Sequence, residues 1–86
     1  MSAMIMEAQL LGLLRTDPDL AQRGCTAEAV KAGGIAVLRA GHHRGIWAWA
    51  INHFTFTPGG YSAPNFEVET AVEALLHTRN VVCPGK

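Results

Sequence analysis

Four histidines and two cysteines are the side chains of this chain that could bind a metal ion or transfer a proton. A zinc site needs about four ligands at a recognisable spacing, such as a C-x2–4-C pair. Cys25 and Cys83 are far apart in the sequence, and the adjacent His42 and His43 would point to opposite sides of an extended segment. We therefore expect no metal site and no cofactor, and two inert thiols in a reducing compartment. A small metal-binding protein or enzyme that uses Cys25 and the histidines is kept as an alternative.

The carboxylates, serines and glycines also lack the spacing that catalysis needs. Glu67 and Glu69 share one face of a predicted strand, opposite its apolar residues, which is typical of a solvent face rather than of a paired-carboxylate site. Ser2 and Ser62 lie outside any Gly-x-Ser-x-Gly motif, and both Gly-Gly pairs lie outside the phosphate-binding motifs. The sequence predicts no catalytic residue, and we expect that the protein is not an enzyme.

Basic residues stand beside aromatic residues in the middle of the chain, and this combination could bind a partner. The candidate partner-binding residues are Arg39, His42, His43, Arg44, Trp47, Trp49 and Tyr61. Aromatic rings next to cations can stack the bases of single-stranded nucleic acid, so a nucleic-acid-binding regulator is an alternative. The net charge of zero argues against binding to duplex DNA. We therefore expect a protein partner ahead of a nucleic acid.

The elements that would position these residues begin with helices. Apolar side chains recur at helical spacing over residues 3–15 and form an arc about 180° wide, with Glu7 inside it. Such an arc is wide enough to cover the core and also to meet a second surface. An Asp-Pro pair begins a second short helix over residues 17–22. Thr26 is expected to cap a further helical segment over residues 27–32.

After the glycines at 33 and 34 the pattern changes to that of strands. The predicted strands are residues 35–40, 46–50, 53–57 and 66–70. A glycine-bounded loop is expected over residues 41–45, and an irregular loop over residues 58–64. For residues 35–40 a continued helix is the rival interpretation, although the two preceding glycines would cost it about 2 kcal/mol.

A helix is predicted to end the fold. Thr70 and Glu73 have the spacing of a capping box, which begins a helix that runs to about residue 79. Its buried face is expected to consist of Val72, Leu75 and Leu76. Consecutive short strands favour an antiparallel sheet covered by helices. The sequence therefore predicts one α+β domain over residues 1–86, a small antiparallel sheet of three or four strands with an N-terminal helical segment and a C-terminal helix packed on it.

The strand at residues 46–50 is apolar on both faces. Trp47 and Trp49 lie on one face, and Ile46, Ala48 and Ala50 lie on the other. An antiparallel sheet with one face in water shows a polar side, so either helices cover both faces, which 86 residues can barely supply, or another chain covers the second face. Charged residues make up only 16% of the chain, against a usual share of about 25%. These observations predict a protein-binding module that acts by contact, as a homodimer or with another protein.

The size, the apolar bias and the lack of catalytic motifs resemble small accessory proteins of bacteria and their phages, including inhibitors of host defence such as anti-CRISPR proteins. The likeness is one of composition and assigns no residue. It implies a small intracellular inhibitor that acts by protein–protein contact. The first residues lack the basic start of a signal peptide, and no apolar run reaches the ~20 residues of a membrane span. We expect a cytoplasmic protein that does not bind membranes.

Overall fold

Three helices, five strands and a π-helical turn follow one another in a computed structural model that describes residues 2–85. The helices are α1 (Ala3–Thr16), α2 (Pro18–Gln22) and α3 (Ala71–His77), and α3 continues into the π-turn (Thr78–Val82). The strands are β1 (Cys25–Ala29), β2 (Ile35–Arg39), β3 (His42–Ala50), β4 (His53–Pro58) and β5 (Phe66–Val68). The α+β prediction is confirmed, and the sheet has five strands rather than three or four.

The strands form one antiparallel sheet in the order β1-β2-β3-β4-β5. A two-residue turn, Ala40-Gly41, joins β2 to β3, and its φ angles are 52° and 81°. Two consecutive positive φ angles are what a type I′ hairpin turn requires. The predicted strand at residues 35–40 is confirmed. The predicted loop at residues 41–45 is wrong, because so tight a turn allows pairing to begin again at His42.

A β-bulge interrupts the pairing of β2 with β3. Val37 pairs with Gly45, but the next residue of β2, Leu38, pairs with His43, two residues before Gly45, so Arg44 is an additional residue. A Cβ atom at Gly45 would lie 2.7 Å from the carbonyl oxygen of Thr57 and 2.3 Å from the ring of Phe56. Glycine is therefore required where the Phe56 ring packs over β3, and the bulge next to it turns Arg44 toward the helical side of the sheet.

Residues 27–32, predicted as a helix, are instead part of β1 and its turn into β2, so this prediction is wrong. Ala27 pairs with Val37 and is 5% exposed, whereas Glu28 points away from the core and is exposed. Val30 donates its N–H to the carbonyl of Gly34, which closes the turn. Helix propensity in this segment is a weak preference, and pairing with a strongly apolar neighbouring strand outweighs it.

The core lies between the helices and one face of the sheet. Trp47 and Phe54 have no exposed surface, and the ring centroids of Trp47 and Phe56 are 4.8 Å apart. Leu10 and Leu14 of α1 pack against these rings within one cluster of buried side chains. Burying a large apolar side chain contributes about 1.5–3 kcal/mol, so the aromatic pairs of β3 and β4 supply much of the folding free energy.

Helix α3 contacts the core through its small residues. Ala71 and Ala74 are buried, whereas Val72 is 57% and Leu76 is 43% exposed; the predicted buried face is therefore wrong for these two, and Leu75 is half-buried. Small side chains allow α3 to approach α1 and the sheet closely, and the larger side chains then point outward. The capping box of Thr70 and Glu73 that begins this helix is confirmed.

A buried carboxylate connects the C-terminal turn to the N-terminal helices. The Asp17 side chain accepts the N–H of Leu20, which caps α2, and it also accepts a hydrogen bond from the Arg79 guanidinium. The hydrogen bond from Arg79 holds the pKa of Asp17 below its usual value, against the opposing effect of burial. Arg23 adds a hydrogen bond to the carbonyl of Arg79, so the π-turn is fixed against α2.

Candidate functional site

One face of the sheet is left uncovered by the helices, and we call it the outer face. The strand registers and the alternation of side chains place twelve residues on it. They are Thr26, Glu28, Ala36, Leu38, His43, Ile46, Ala48, Ala50, His53, Thr55, Thr57 and Glu67. Every buried strand side chain lies on the opposite face, where the helices pack. Within residues 2–85 no element covers the outer face.

The centre of the outer face is apolar. It consists of short aliphatic side chains on β2 and β3, namely Ala36, Leu38, Ile46, Ala48 and Ala50. The two acidic residues of this face, Glu28 and Glu67, lie on β1 and β5 at its opposite edges. The prediction that both faces of residues 46–50 are apolar is confirmed. An uncovered antiparallel sheet usually shows a polar face, so this surface differs from an ordinary solvent face.

The predicted basic residues lie near one end of β3. His42, His43 and Arg44 are exposed on consecutive positions of that strand, but His43 lies on the outer face, whereas Arg44 points toward the helical side of the sheet. Arg39 is half-buried and donates a hydrogen bond to the carbonyl of Pro84 at 2.8 Å, so its guanidinium is partly used within the fold. Tyr61 is 66% exposed in the loop between β4 and β5.

The two predicted tryptophans face the core. Trp47 is fully buried and donates its indole N–H to the Thr78 hydroxyl at 2.9 Å, so it cannot contact a partner in this fold. Trp49 is half-buried, and its ring packs edge-on against Phe54. Both tryptophans lie on the helical side of the sheet, because the alternation that pairs them on one face turns that face toward the helices.

Glu7 is a structural residue that the sequence reading did not identify. Its carboxylate accepts the backbone N–H of Gly34 and that of Trp49, each at 3.0 Å. The N–H of Gly34 lies just before β2, and that of Trp49 lies on β3. Both find their acceptor in the Glu7 carboxylate of α1 instead of in a carbonyl of a neighbouring strand. The signal in the sequence is the single acidic residue within the apolar arc of α1. A glutamate that only extended its carboxylate into water would not make these two part-buried hydrogen bonds.

Cys25 and Cys83, distant in the sequence, meet in the core. Both side chains are buried and belong to the same cluster. Burial, together with a hydrogen bond that the Cys83 thiol donates to Cys25, raises the pKa of the Cys83 thiol to about 12. A thiol with so high a pKa is almost never a thiolate at neutral pH and is a poor nucleophile and metal ligand. Within the part of the chain that the structure describes, no group of three His, Cys, Asp or Glu could hold a metal ion.

His77 lies among aromatic rings rather than in a polar site. Its imidazole stacks on Phe66 with the ring centroids 3.7 Å apart, and it meets Trp47 edge-on at 5.8 Å. Burial lowers the pKa of His77 below its usual value. Neutral imidazole therefore acts here as a flat ring that extends the core to the surface.

Comparison of the chain with protein-family models, with curated proteins and with solved structures finds no match. Among the helices of residues 2–85, none has the length and apolar character needed to cross a membrane.

Proposed function

We propose that this protein is a protein-binding module that acts by contact rather than by catalysis, and that the outer face is its docking surface. The observation that supports the proposal is the aliphatic centre of a sheet face that no helix of residues 2–85 covers. The occupant to which we commit is a second copy of the chain, which would pack its own outer face against the first.

Side-chain size and the position of the charges support a second copy. Two sheets can pack face to face at about 10 Å, and alanine and threonine side chains allow that approach. Glu28 and Glu67 lie on the edge strands, so neither acidic side chain would be buried at the centre of the contact.

The area of the outer face indicates how strong such a dimer would be. Five strands spaced about 4.8 Å apart, each about 17 Å long, give a face of roughly 400 Å². Stable complexes bury about 800 Å² on each partner, so the expected dimer is weak, and we expect a dissociation constant of roughly 100 µM. A weak dimer can dissociate, so that a larger protein partner binds the same face in place of the second copy.

Sedimentation of the full chain over a concentration series tests the proposal. The wild-type protein should pass from monomer to dimer between about 10 and 500 µM, as a micromolar constant requires. Ile46→Lys and Ala48→Lys should each remain monomeric, because a charge would be buried at the centre of the contact. Val72→Lys is the matched control, since it adds the same charge at an exposed position of α3 and should leave the dimer intact.

A wild-type monomer throughout this range would refute self-association through the outer face. Circular dichroism of the three variants should show the wild-type fold, and Ala48→Lys guards against a folding failure of Ile46→Lys, because it removes the smaller apolar side chain. Equal dimerisation of wild type and both outer-face variants would place the contact on another surface.

A nucleic-acid-binding regulator is the second candidate, supported by the exposed side chains of His42, His43 and Arg44 at one end of β3. Single-stranded DNA or RNA should then bind at low salt and dissociate steeply as salt rises, because counterions are released on binding. Absence of binding at low salt would refute it.

The biological setting is part of the same proposal. An inhibitor or accessory protein of a bacterium or phage would use the outer face in the same way, by covering a surface of its target. The proposed location is the cytoplasm, where free buried thiols such as Cys25 and Cys83 stay reduced.

A further inference from the structure

A cleft opens on the helical side of the sheet, away from the outer face, between β3, β4, β5 and the π-turn. Its volume is about 300 Å³, at the lower end of the range for small-molecule sites. The residues that line it include Arg44, Phe56, Asn65, Phe66, His77 and Val81. It is thus separate from the surface on which the proposed function depends.

Two backbone irregularities border this cleft. The bulge in β3 places Arg44 at one side, and the π-turn that follows α3 places Val81 at the other. Bulges and π-turns both cost regular hydrogen bonds, and both occur often where a side chain must be redirected toward a site. Two such irregularities at the same cleft indicate that its lining forms a binding site.

The lining of the cleft combines aromatic rings with a cationic side chain. The floor is aromatic, with Phe66 and His77 stacked and Phe56 beside them at 6.0 Å from His77. Arg44 is the cationic side chain at the rim, and no acidic side chain lines the cleft within residues 2–85. Asn65 adds an amide that can donate or accept a hydrogen bond. Such a lining matches a flat apolar body that carries one negative charge.

We propose that this cleft binds a small aromatic carboxylate, with the ring against Phe66 and Val81 and the carboxylate on the Arg44 guanidinium. A guanidinium presents paired N–H donors that fit the two oxygens of a carboxylate. The cleft admits one ring and a short side arm, which limits the ligand to about ten non-hydrogen atoms and the expected affinity to the millimolar range.

Titration of the full chain with three ligands of the same shape tests charge recognition. Phenylacetate is the anion, phenylacetamide the neutral analogue and phenethylamine the cation, and backbone amide shifts report the binding site. Phenylacetate should shift the amides of residues around the cleft and should bind about tenfold more tightly than phenylacetamide, as expected for one charge-assisted contact. Phenethylamine should bind more weakly than either. Equal affinity for the acid and the amide, or shifts outside the cleft, would overturn the proposal.

Variants identify the residues that carry recognition. Arg44→Gln should raise the dissociation constant for phenylacetate about tenfold. Lys31→Gln removes the same charge from the exposed turn between β1 and β2 and should leave this dissociation constant unchanged. Val81→Asp places a carboxylate on an exposed wall position of the same cleft, where it offsets the charge of Arg44, and should remove most of the preference for phenylacetate over phenylacetamide. Unchanged phenylacetate binding by Arg44→Gln, or an unchanged preference in Val81→Asp, would refute the assignment.

Discussion

Replacement of Glu7 should test how a helix completes the end of this sheet. Glu7→Ala removes the carboxylate that accepts the N–H groups of Gly34 and Trp49, each at 3.0 Å. Gly34 is buried, and a Cβ atom there would lie 2.9 Å from the carbonyl oxygen of Trp47, so the turn cannot easily move to find another acceptor.

The magnitude follows from these two contacts. A hydrogen bond to a charged acceptor contributes about 1.5–3 kcal/mol, and an N–H group left without an acceptor costs about 1–3 kcal/mol. Glu7 is half-buried, so water can replace part of the loss, and we take the lower end for each bond. Alanine recovers a few tenths of a kcal/mol through its higher helix propensity. The free energy of unfolding should therefore fall by about 2–3 kcal/mol for Glu7→Ala.

Urea unfolding followed by tryptophan fluorescence measures this change, and the corresponding fall in Tm should be about 8–20 °C for a chain of this size. Glu7→Gln keeps one acceptor oxygen and should lose about half as much free energy as Glu7→Ala. Gln9→Ala on the exposed side of α1 is the control and should change stability by less than about 0.5 kcal/mol. Hydrogen exchange should show faster exchange specifically at Gly34 and Trp49. A Glu7→Ala variant as stable as Gln9→Ala, or unchanged protection of these two amides, would contradict this role of Glu7.

Three further predictions concern the core, a turn and the pH dependence of stability. Thr78→Val should cost about 1–3 kcal/mol, because it leaves the buried indole N–H of Trp47 without its acceptor, and Thr78→Ser should recover most of that loss in urea unfolding. Ile51→Gly should raise the free energy of unfolding by about 1 kcal/mol in the same assay, because φ is 60° at this exposed β-branched residue and the left-handed region disfavours it; no gain would contradict this. Stability should decrease as pH falls below about 6.5, since burial lowers the pKa of His77 and the unfolded chain takes up its proton first. Thermal unfolding between pH 7.5 and pH 5 should show this decrease in wild type and a smaller one in His77→Gln.

Features with a short-range physical cause were predictable from the sequence. Thr70 and Glu73 satisfy each other's backbone N–H groups within one helical turn, so the start of α3 needs no information from the rest of the fold. The same holds for α1, whose apolar spacing is complete within its own residues. Alternation with a period of two places Ile46 and Trp47 on opposite faces whatever the partner strands are. The apolar outer face, on which the proposed function depends, was therefore visible before the fold was known.

The tertiary structure decided every feature that depends on a distant neighbour. Residues 27–32 have helix-compatible side chains, and pairing with β2 makes them part of a strand and its turn. The outward direction of Val72 follows from close packing of the small residues of α3, which no local pattern shows. The position of Glu7 beneath the start of β2 and the meeting of Cys25 with Cys83 require contacts between residues far apart in the chain. Periodicity specifies which residues share a face, whereas only the packing of complete elements specifies what that face meets.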